Sequence, residues 1–379
     1  MLIWLLSAGN FVIGMGAFMV IGLIPLLAED LGVRQGQAGA VLIVYALAYA
    51  VGSPLLVALT GKLPRRALLA GAMGLFGLAS LGAALAPSLP LLLAARVAAA
   101  LGAGLFSPLA AATAAGLSAP EGRGRALARV FFGLTLAQVM GVPAGAWLAY
   151  TLSWHLAFGL VAVLALPVVF GVLRIVPRDL AFQPTTLRGL GTALADLRGL
   201  VTTAYTALFL GAVYVLFTYI AALLQQHMGY DGSGVSLFLF IFGIGAVGGN
   251  LAGGVLADRL GPQRTLAFLA GAQVLLMPLF SLVPMADAAL LTLALLWALA
   301  GWSFMPSQQM RLIEMAPERQ NVNLALNAAA IYAGAGLGGW AGGLVIEAFG
   351  VRATGLAAGL AATLALGNLW LGERLARRA

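Results

Sequence analysis

Two cationic segments interrupt the apolar chain at equivalent places, TGKLPRR at residues 60–66 and GVLADRLGPQR at residues 254–264. Each stands between two long apolar runs, and they lie about 200 residues apart in a chain of 379. A similar segment at the same place in both halves of a chain indicates an internal repeat. The sequence therefore predicts two similar halves built from the same set of elements.

Around these segments the chain is a succession of about twelve apolar runs, each about 20 residues long. A helix of about 20 apolar residues crosses the ~30 Å hydrocarbon layer of a membrane. Only 8% of the residues are charged, whereas a soluble domain carries about 25%. We therefore predict an all-α membrane protein with twelve transmembrane helices in two pseudo-symmetric six-helix bundles. The predicted spans are 3–27, 37–59, 67–86, 89–116, 129–150, 154–175, 201–224, 234–257, 265–284, 288–311, 324–346 and 352–372.

The longest polar gap falls near mid-chain and divides these spans six and six. It predicts an N-terminal bundle over 1–175, a cytoplasmic linker over 176–200 and a C-terminal bundle over 201–379. Orientation follows from the cations, because cytoplasmic loops are enriched in Lys and Arg. Seventeen of the twenty cations lie in or beside the even-numbered gaps and the C-terminal tail. We therefore expect a multi-pass protein of the plasma (inner) membrane with both termini in the cytoplasm.

The net charge of +8 and the absence of cysteine limit the possible partners. The cations stand singly or in pairs in short loops, which favours topology signals and contact with anionic lipid headgroups over nucleic-acid binding. Two histidines and no cysteine offer no zinc site, and no G-x-x-x-x-G-K-[ST] segment is present to bind ATP. We expect a monomer whose partners are the lipid bilayer and a small-molecule substrate, with no nucleic acid, metal or cofactor.

Four segments carry a resemblance to a known family. The segment 254–264 closely matches the loop signature G-x-L-A-D-R-x-G-x-R, and 60–66 keeps its cations but has Gly61 in place of the aspartate. Arg96 and Gly102 match the motif R-x-x-x-x-x-G. The segment 133–145 resembles an antiporter signature, but here Val142 separates Gly141 from Pro143, whereas the glycine and proline are adjacent in many proteins with that signature. With these segments the chain resembles the major facilitator superfamily, in particular its 12-span drug:proton antiporter group and the sugar/arabinose-efflux-like branch. The resemblance implies the major facilitator fold and a substrate site between the halves.

Polar and aromatic side chains within the spans are the candidate lining of that site. Arg96 lies about seven residues into the fourth span, and a cation at such depth usually faces a bundle interior or a water-filled cavity. Snorkelling to the outer headgroups is the alternative, and each amide also suits ordinary interhelical bonding. The candidates are Asn10, Tyr45, Tyr49, Arg96, Gln138, Tyr214, Trp302, Gln308, Asn327 and Tyr332. As a set they predict an aromatic, amide-lined pore with little charge.

Two groups of residues are candidates for gating. The enrichment of cytoplasmic loops in Lys and Arg explains the cations of these segments but not the aspartate Asp258. We therefore interpret Asp258 as part of a latch that closes the cytoplasmic opening of the substrate site. That latch comprises Lys62, Arg65, Arg66, Asp258, Arg259 and Arg264. Small residues at every fourth position let helices approach closely, and Pro143 removes a backbone hydrogen bond. Gly141, Pro143 and Gly145 are therefore candidates for a face that serves rocking of the halves.

The acidic residues leave the energy source open, because no carboxylate falls in the middle of a span. Proton-coupled carriers need a titratable group that alternates between the two faces. The nearest candidates are Glu29, Glu347 and His227. We expect efflux of a sugar, metabolite or drug-like amphiphile by alternating access with proton antiport, and no enzymatic activity. The alternatives are an uncoupled facilitator or importer and, from another class, a non-transporting membrane sensor or scaffold.

Overall fold

The computed structural model describes residues 1–61, 63–119, 123–177, 191, 196–315 and 320–377. Over these residues the chain forms helices joined by short turns, with no strand. Within the described ranges, eleven helices are long and apolar enough to cross a membrane, and the bent helix pair at the N-terminus makes twelve when it is taken as one span. The predicted all-α membrane fold is confirmed.

The twelve spans follow one another along the chain, and each predicted span lies on one of them. The N-terminal half comprises α1 (Leu2–Phe18 and Val20–Asp30), α2 (Gln35–Leu59), α3 (Arg65–Ala84), α4 (Leu89–Gly116), α5 (Arg123–Leu136, Ala137–Gly141 and Val142–Thr151) and α6 (Trp154–Ile175). The C-terminal half comprises α7 (Leu197–Phe217 and Ile220–Met228), α8 (Gly232–Leu260), α9 (Pro262–Leu276 and Met277–Leu282), α10 (Asp287–Trp302 and Phe304–Met315), α11 (Gln320–Phe349) and α12 (Ala353–Arg377). We call the end with both chain termini the inner end and the opposite end the outer end.

Several spans are interrupted near their middle. The two segments of α1 meet at an angle of 41°. In α5 the segment Ala137–Gly141 is a π-helix, in which the Val142 N–H donates to the Ala137 carbonyl five residues back. Pro143 follows directly, and its missing N–H prevents the regular bonding pattern from resuming at once. Because π-helical turns and broken transmembrane helices are frequent at functional sites, these breaks indicate a functional site at mid-depth.

Small residues at every fourth position form glycine stripes that pack helices together inside each half, such as Gly133, Gly141 and Gly145 of α5 and Gly334, Gly338 and Gly342 of α11. A Cβ atom at Gly133 of α5 would overlap the Ser7 carbonyl oxygen of α1. A Cβ atom at Gly141, also on α5, would lie 3.0 Å from Met15 of α1. In the C-terminal half the stripe of α11 packs in the same way on α7, where Gly338 faces Gly211. The fifth helix of each half thus lies against the first, as close small-residue packing allows.

The two halves contact each other through other residues, from mid-depth to the outer end. Gly336 of α11 faces Leu47 of α2, and Gly339 faces Ile43 one turn nearer the outer end. Gly243 of α8 lies against the backbone of α5 at Val139. The pairs α2–α11 and α5–α8 therefore form the boundary between the halves.

Candidate functional site

A central cavity lies between the halves, at the depth where the spans are broken. The free space there, counting the part that is open to solvent, is about 310 Å³, and side chains from α1, α5, α7, α8 and α10 line it. The lining residues are Phe18, Ile21, Gln138, Val142, Tyr214, Phe217, Leu239, Phe242 and Trp302. Both halves contribute, as expected for a substrate site at the midplane between structural repeats.

The cavity wall in the C-terminal half is a cluster of aromatic rings. Phe217 and Phe242 are stacked with centroids 4.2 Å apart, and Trp302 meets Phe242 edge-on at 5.1 Å. Behind them Trp297, which is fully buried, contacts both rings edge-on. Paired rings of this kind hold one another in place, so the wall presents a fixed apolar surface to a solute.

Polar groups in the cavity are few. Gln138 supplies an amide, Tyr214 a hydroxyl and Trp302 an indole N–H, and none of the nine lining residues is charged. Most small-molecule sites combine an apolar lining with a few polar groups that fix orientation. This arrangement suits a largely apolar solute that makes one to three hydrogen bonds. Of the ten predicted lining residues, Gln138, Tyr214 and Trp302 are the ones that line this cavity.

Three predicted tyrosines form an aromatic cluster beside the cavity. Tyr49 of α2 and Tyr332 of α11 stack with centroids 3.6 Å apart, across the boundary between the halves. Tyr45 lies 6.5 Å from each of them, and Phe18, a lining residue, is 6.4 Å from Tyr332. The cluster therefore joins the cavity to the α2–α11 contact.

Arg96 of α4 points into the N-terminal half and not towards lipid, with 2% of its surface exposed. Its guanidinium donates to the carbonyls of Gly16, Ala17 and Val41 at 2.8–3.2 Å and lies over the Tyr45 ring at 4.2 Å. Gly16 and Ala17 belong to the last turn before the break of α1, where carbonyls lack the partners that a continuous helix supplies. Arg96 thus ties the broken helix to α4 and α2. A direct role towards substrate stays a prediction.

Three predicted amides bond within their own half. Asn10 donates to the Val130 carbonyl and accepts from Ser107. Gln308 donates to the Thr202 carbonyl at 2.7 Å, and Asn327 accepts from Thr206 at 2.5 Å. All three are at most 3% exposed, so they join helices of one half and do not line the cavity described above.

The gating candidates lie at the inner end or against α1. Lys62 falls outside the described residues, whereas Arg65 is buried and Arg66 half-buried. Asp258, Arg259 and Arg264 are exposed, and within the described ranges no ion pair shorter than 4.0 Å involves Asp258. Gly141 and Gly145 pack on Met15 and Met19 of α1, and Pro143 is buried between them. Their gating roles stay predictions.

The proton-coupling candidates lie at the outer end. Glu347 of α11 forms an ion pair with Arg34, the residue before α2, at 3.4 Å. This pair crosses from one half to the other. Glu29 is exposed and His227 half-buried. Of the three, Glu347 is the one whose charge bridges the two halves in an ion pair.

The fold and the cavity between its halves define a polytopic membrane carrier. A family model described as Major Facilitator Superfamily matches residues 6–321. The chain belongs to this superfamily: it is a membrane transporter and not an enzyme, which sets aside the sensor or scaffold alternative.

Relatives and a solved structure agree with this assignment. The chain is 34% identical to the chloramphenicol resistance protein of Streptomyces lividans over 77% of this chain and 75% of that protein. It is 31% identical to the inner membrane transport protein YdhP of Escherichia coli (strain K12), covering 90% and 88% of the two chains. The crystal structure of a D-xylose-proton symporter matches with a TM-score of 0.78 at 17% identity, over 97% of this chain and 96% of that one.

Proposed function

We propose that this protein exports a small organic solute across the inner membrane by alternating access, in exchange for protons. The observation that carries the proposal is the central cavity, which both halves line with nine uncharged side chains. Residues 1–175 and 201–379 move as two units joined by the linker 176–200. Both termini lie in the cytoplasm, since cations gather in the loops on that side. One chain encloses the cavity by itself, so the working form is a monomer.

The lining favours an uncharged aromatic amphiphile over a sugar. A sugar carries a hydroxyl on almost every carbon, and hydroxyls left without partners in an apolar cavity are costly to desolvate. Three polar groups on Gln138, Tyr214 and Trp302 are too few to pair them. An aromatic ring gains from contact with the rings of Phe217 and Phe242. The relative named for chloramphenicol resistance supports this choice, and chloramphenicol, an uncharged nitroaromatic, is the natural probe.

Proton coupling is proposed through Glu347. A proton arriving from outside would neutralise its carboxylate and remove the attraction to Arg34, which weakens the contact between α2 and α11 at the outer end. When the outer end opens, the solute leaves the cavity to the outside while the proton stays on the carrier, so a proton is exchanged for a solute. An uncoupled facilitator or an importer would use the same cavity, so the coupling needs its own measurement.

The test is uptake into inside-out proteoliposomes with and without a pH gradient. Radiolabelled chloramphenicol, arabinose and the cation ethidium are compared. We expect gradient-dependent accumulation of chloramphenicol and little movement of the other two. Equal flux with no gradient would contradict antiport, and uptake of arabinose alone would contradict the proposed substrate class.

A matched pair of variants ties the flux to the cavity. Gln138→Leu removes the lining amide, whereas Gln309→Leu makes the same change at an exposed position. A lost hydrogen bond to a neutral group is worth about 0.5–1.5 kcal/mol, so we expect the KM of Gln138→Leu to rise about two- to tenfold. An equal effect of the two variants would contradict a role of Gln138 in the site.

A further inference from the structure

Tyr219 lies in the break of α7 and reaches into the boundary between the halves. Its hydroxyl donates to the Gly339 carbonyl of α11 in its own half at 3.1 Å. On the other side of the ring is α2 of the N-terminal half, where a Cβ atom at Gly39 would collide with the Tyr219 hydroxyl oxygen. The side chain is fully buried. The tyrosine thus fills a space that exists only because residue 39 has no side chain.

Tyr150, near the outer end of α5, has the same relationship in the opposite direction. Its hydroxyl donates to the Gly22 carbonyl of α1, also in its own half, at 2.9 Å. Its ring lies under α8 of the C-terminal half, where a Cβ atom at Gly232 would collide with the Tyr150 side chain. The same hydroxyl accepts a hydrogen bond of 3.0 Å from Gln225 of α7.

The two sites have the same arrangement, although their tyrosines stand on non-equivalent helices, Tyr150 on the fifth helix of its half and Tyr219 on the first. In each, a tyrosine is anchored by a carbonyl of its own half and covered by a glycine near the outer start of the other half's second helix. Each site also has one polar contact across the boundary. At Tyr150 it is the bond from Gln225, and at Tyr219 it is the Arg34–Glu347 ion pair, next to Gly36 of α2.

We propose that Tyr150 with Gly232 and Tyr219 with Gly39 form a paired outer gate, which holds the outer end closed. The anchoring bonds keep each ring in place without help from the other half, so α2 and α8 meet preformed surfaces when they close. Opening separates α2 from Tyr219 and α8 from Tyr150. The two tyrosines are therefore positioning residues of the transport cycle, at a distance from the cavity lining. This inference rests on the proposed alternating access.

The test measures the width of the outer end directly. The chain has no native cysteine, so Leu85→Cys and Ala289→Cys can carry spin labels, one on each half at exposed outer positions. Double electron–electron resonance in lipid nanodiscs then reports the distance between them. We expect Gly39→Leu and Gly232→Leu each to shift the distribution to longer distances, because the added side chain meets a tyrosine. Gly74→Leu is the control, since nothing lies within 4 Å of a Cβ atom there.

A second set of variants keeps the proposal testable if the leucine variants do not fold. Tyr150→Ala and Tyr219→Ala, alone and together, remove the rings and are expected to raise the population at long distance. Tyr219→Phe keeps the ring and is expected to stay closer to the parent. Parent-like distributions in both the leucine and the alanine variants would overturn the gate.

The distance readout needs no substrate. If the distances shift while no solute is transported, the gate stands and the proposed function fails. If chloramphenicol is exported and the distances do not shift, the proposed function stands and the gate fails.

Discussion

The rings of Tyr49 and Tyr332 stack with centroids 3.6 Å apart, and this pair joins α2 of one half to α11 of the other. Tyr332 also faces Phe18, which lines the central cavity. The cavity and the contact between the halves are therefore connected through the neighbouring rings of Phe18 and Tyr332. This connection offers a physical route by which a bound solute changes the balance between two arrangements of the halves.

Replacing Tyr49 by Leu is expected to favour opening of the α2–α11 boundary. An aromatic pair contributes about 0.5–1.5 kcal/mol beyond its buried area, which corresponds to a shift of about two- to tenfold in a two-state equilibrium. The spin labels at positions 85 and 289 measure it as a larger long-distance population. Phe170→Leu, an exposed aromatic on α6, is the control, and an equal response of the two variants would contradict the role of the stack.

Arg96→Ala is expected to lower stability as well as transport. It leaves the carbonyls of Gly16, Ala17 and Val41 without their donor, and each unpaired buried group costs about 1–3 kcal/mol. Arg96→Lys keeps the charge but cannot reproduce the planar fork of donors, so an intermediate loss is expected. Thermal unfolding in detergent and chloramphenicol uptake provide the readouts. If Arg96→Ala unfolds at the same temperature as the parent, the hydrogen bonds of Arg96 do not hold α1 in place.

Glu347→Gln is expected to weaken the contact between the halves at the outer end. The amide keeps the size of the side chain but removes the charge that attracts Arg34. The variant should therefore show a larger long-distance population than the parent between the spin labels at positions 85 and 289. Glu29→Gln, at an exposed position outside the ion pairs described, is the control. Equal distributions in the two variants would contradict the role of the ion pair.

Gly133→Ala is expected to be among the most damaging single-methyl changes. The added Cβ atom would overlap the carbonyl oxygen of Ser7, a backbone atom that cannot move aside without shifting α1. Overpacking costs typically about 1–3 kcal/mol. Gly71→Ala on α3, where nothing lies within 4 Å, should be neutral or slightly stabilising, because alanine favours the helix by about 1 kcal/mol. Equal melting temperatures for the two variants would contradict the close contact of α5 with α1.

The sequence predicted the number and type of the spans because long apolar runs have few other uses. It also named Gln138, Tyr214 and Trp302 as candidates, because polar atoms inside a span need a partner or a cavity, and the structure places all three on the cavity wall. Phe18, Phe217 and Phe242 gave no signal, because a phenylalanine in an apolar run is equally suited to lipid, packing or a binding site. Only their positions in three dimensions show that they line the cavity.

The glycines show the same limit. Their spacing predicted close helix packing, but not which helix lies opposite. Gly141 and Gly145 pack on α1 inside one half, whereas Gly39 and Gly232, which belong to no regular stripe, cover tyrosines of the other half. The sequence did not predict the break of α1. The carbonyls of Gly16 and Ala17 at this break accept hydrogen bonds from Arg96, which is 79–80 positions away in the chain, so no local pattern marks the break.

We propose that an uncharged aromatic solute binds between the halves, in the cavity lined by Gln138, Tyr214 and Phe242. Photolabelling with a photoactivatable chloramphenicol analogue, followed by peptide mapping, shows where such a solute binds. We expect labelled peptides from both halves, α1 or α5 together with α7, α8 or α10, and their loss in excess chloramphenicol. Labelling confined to outward-facing residues such as Phe170, with no competition, would contradict it.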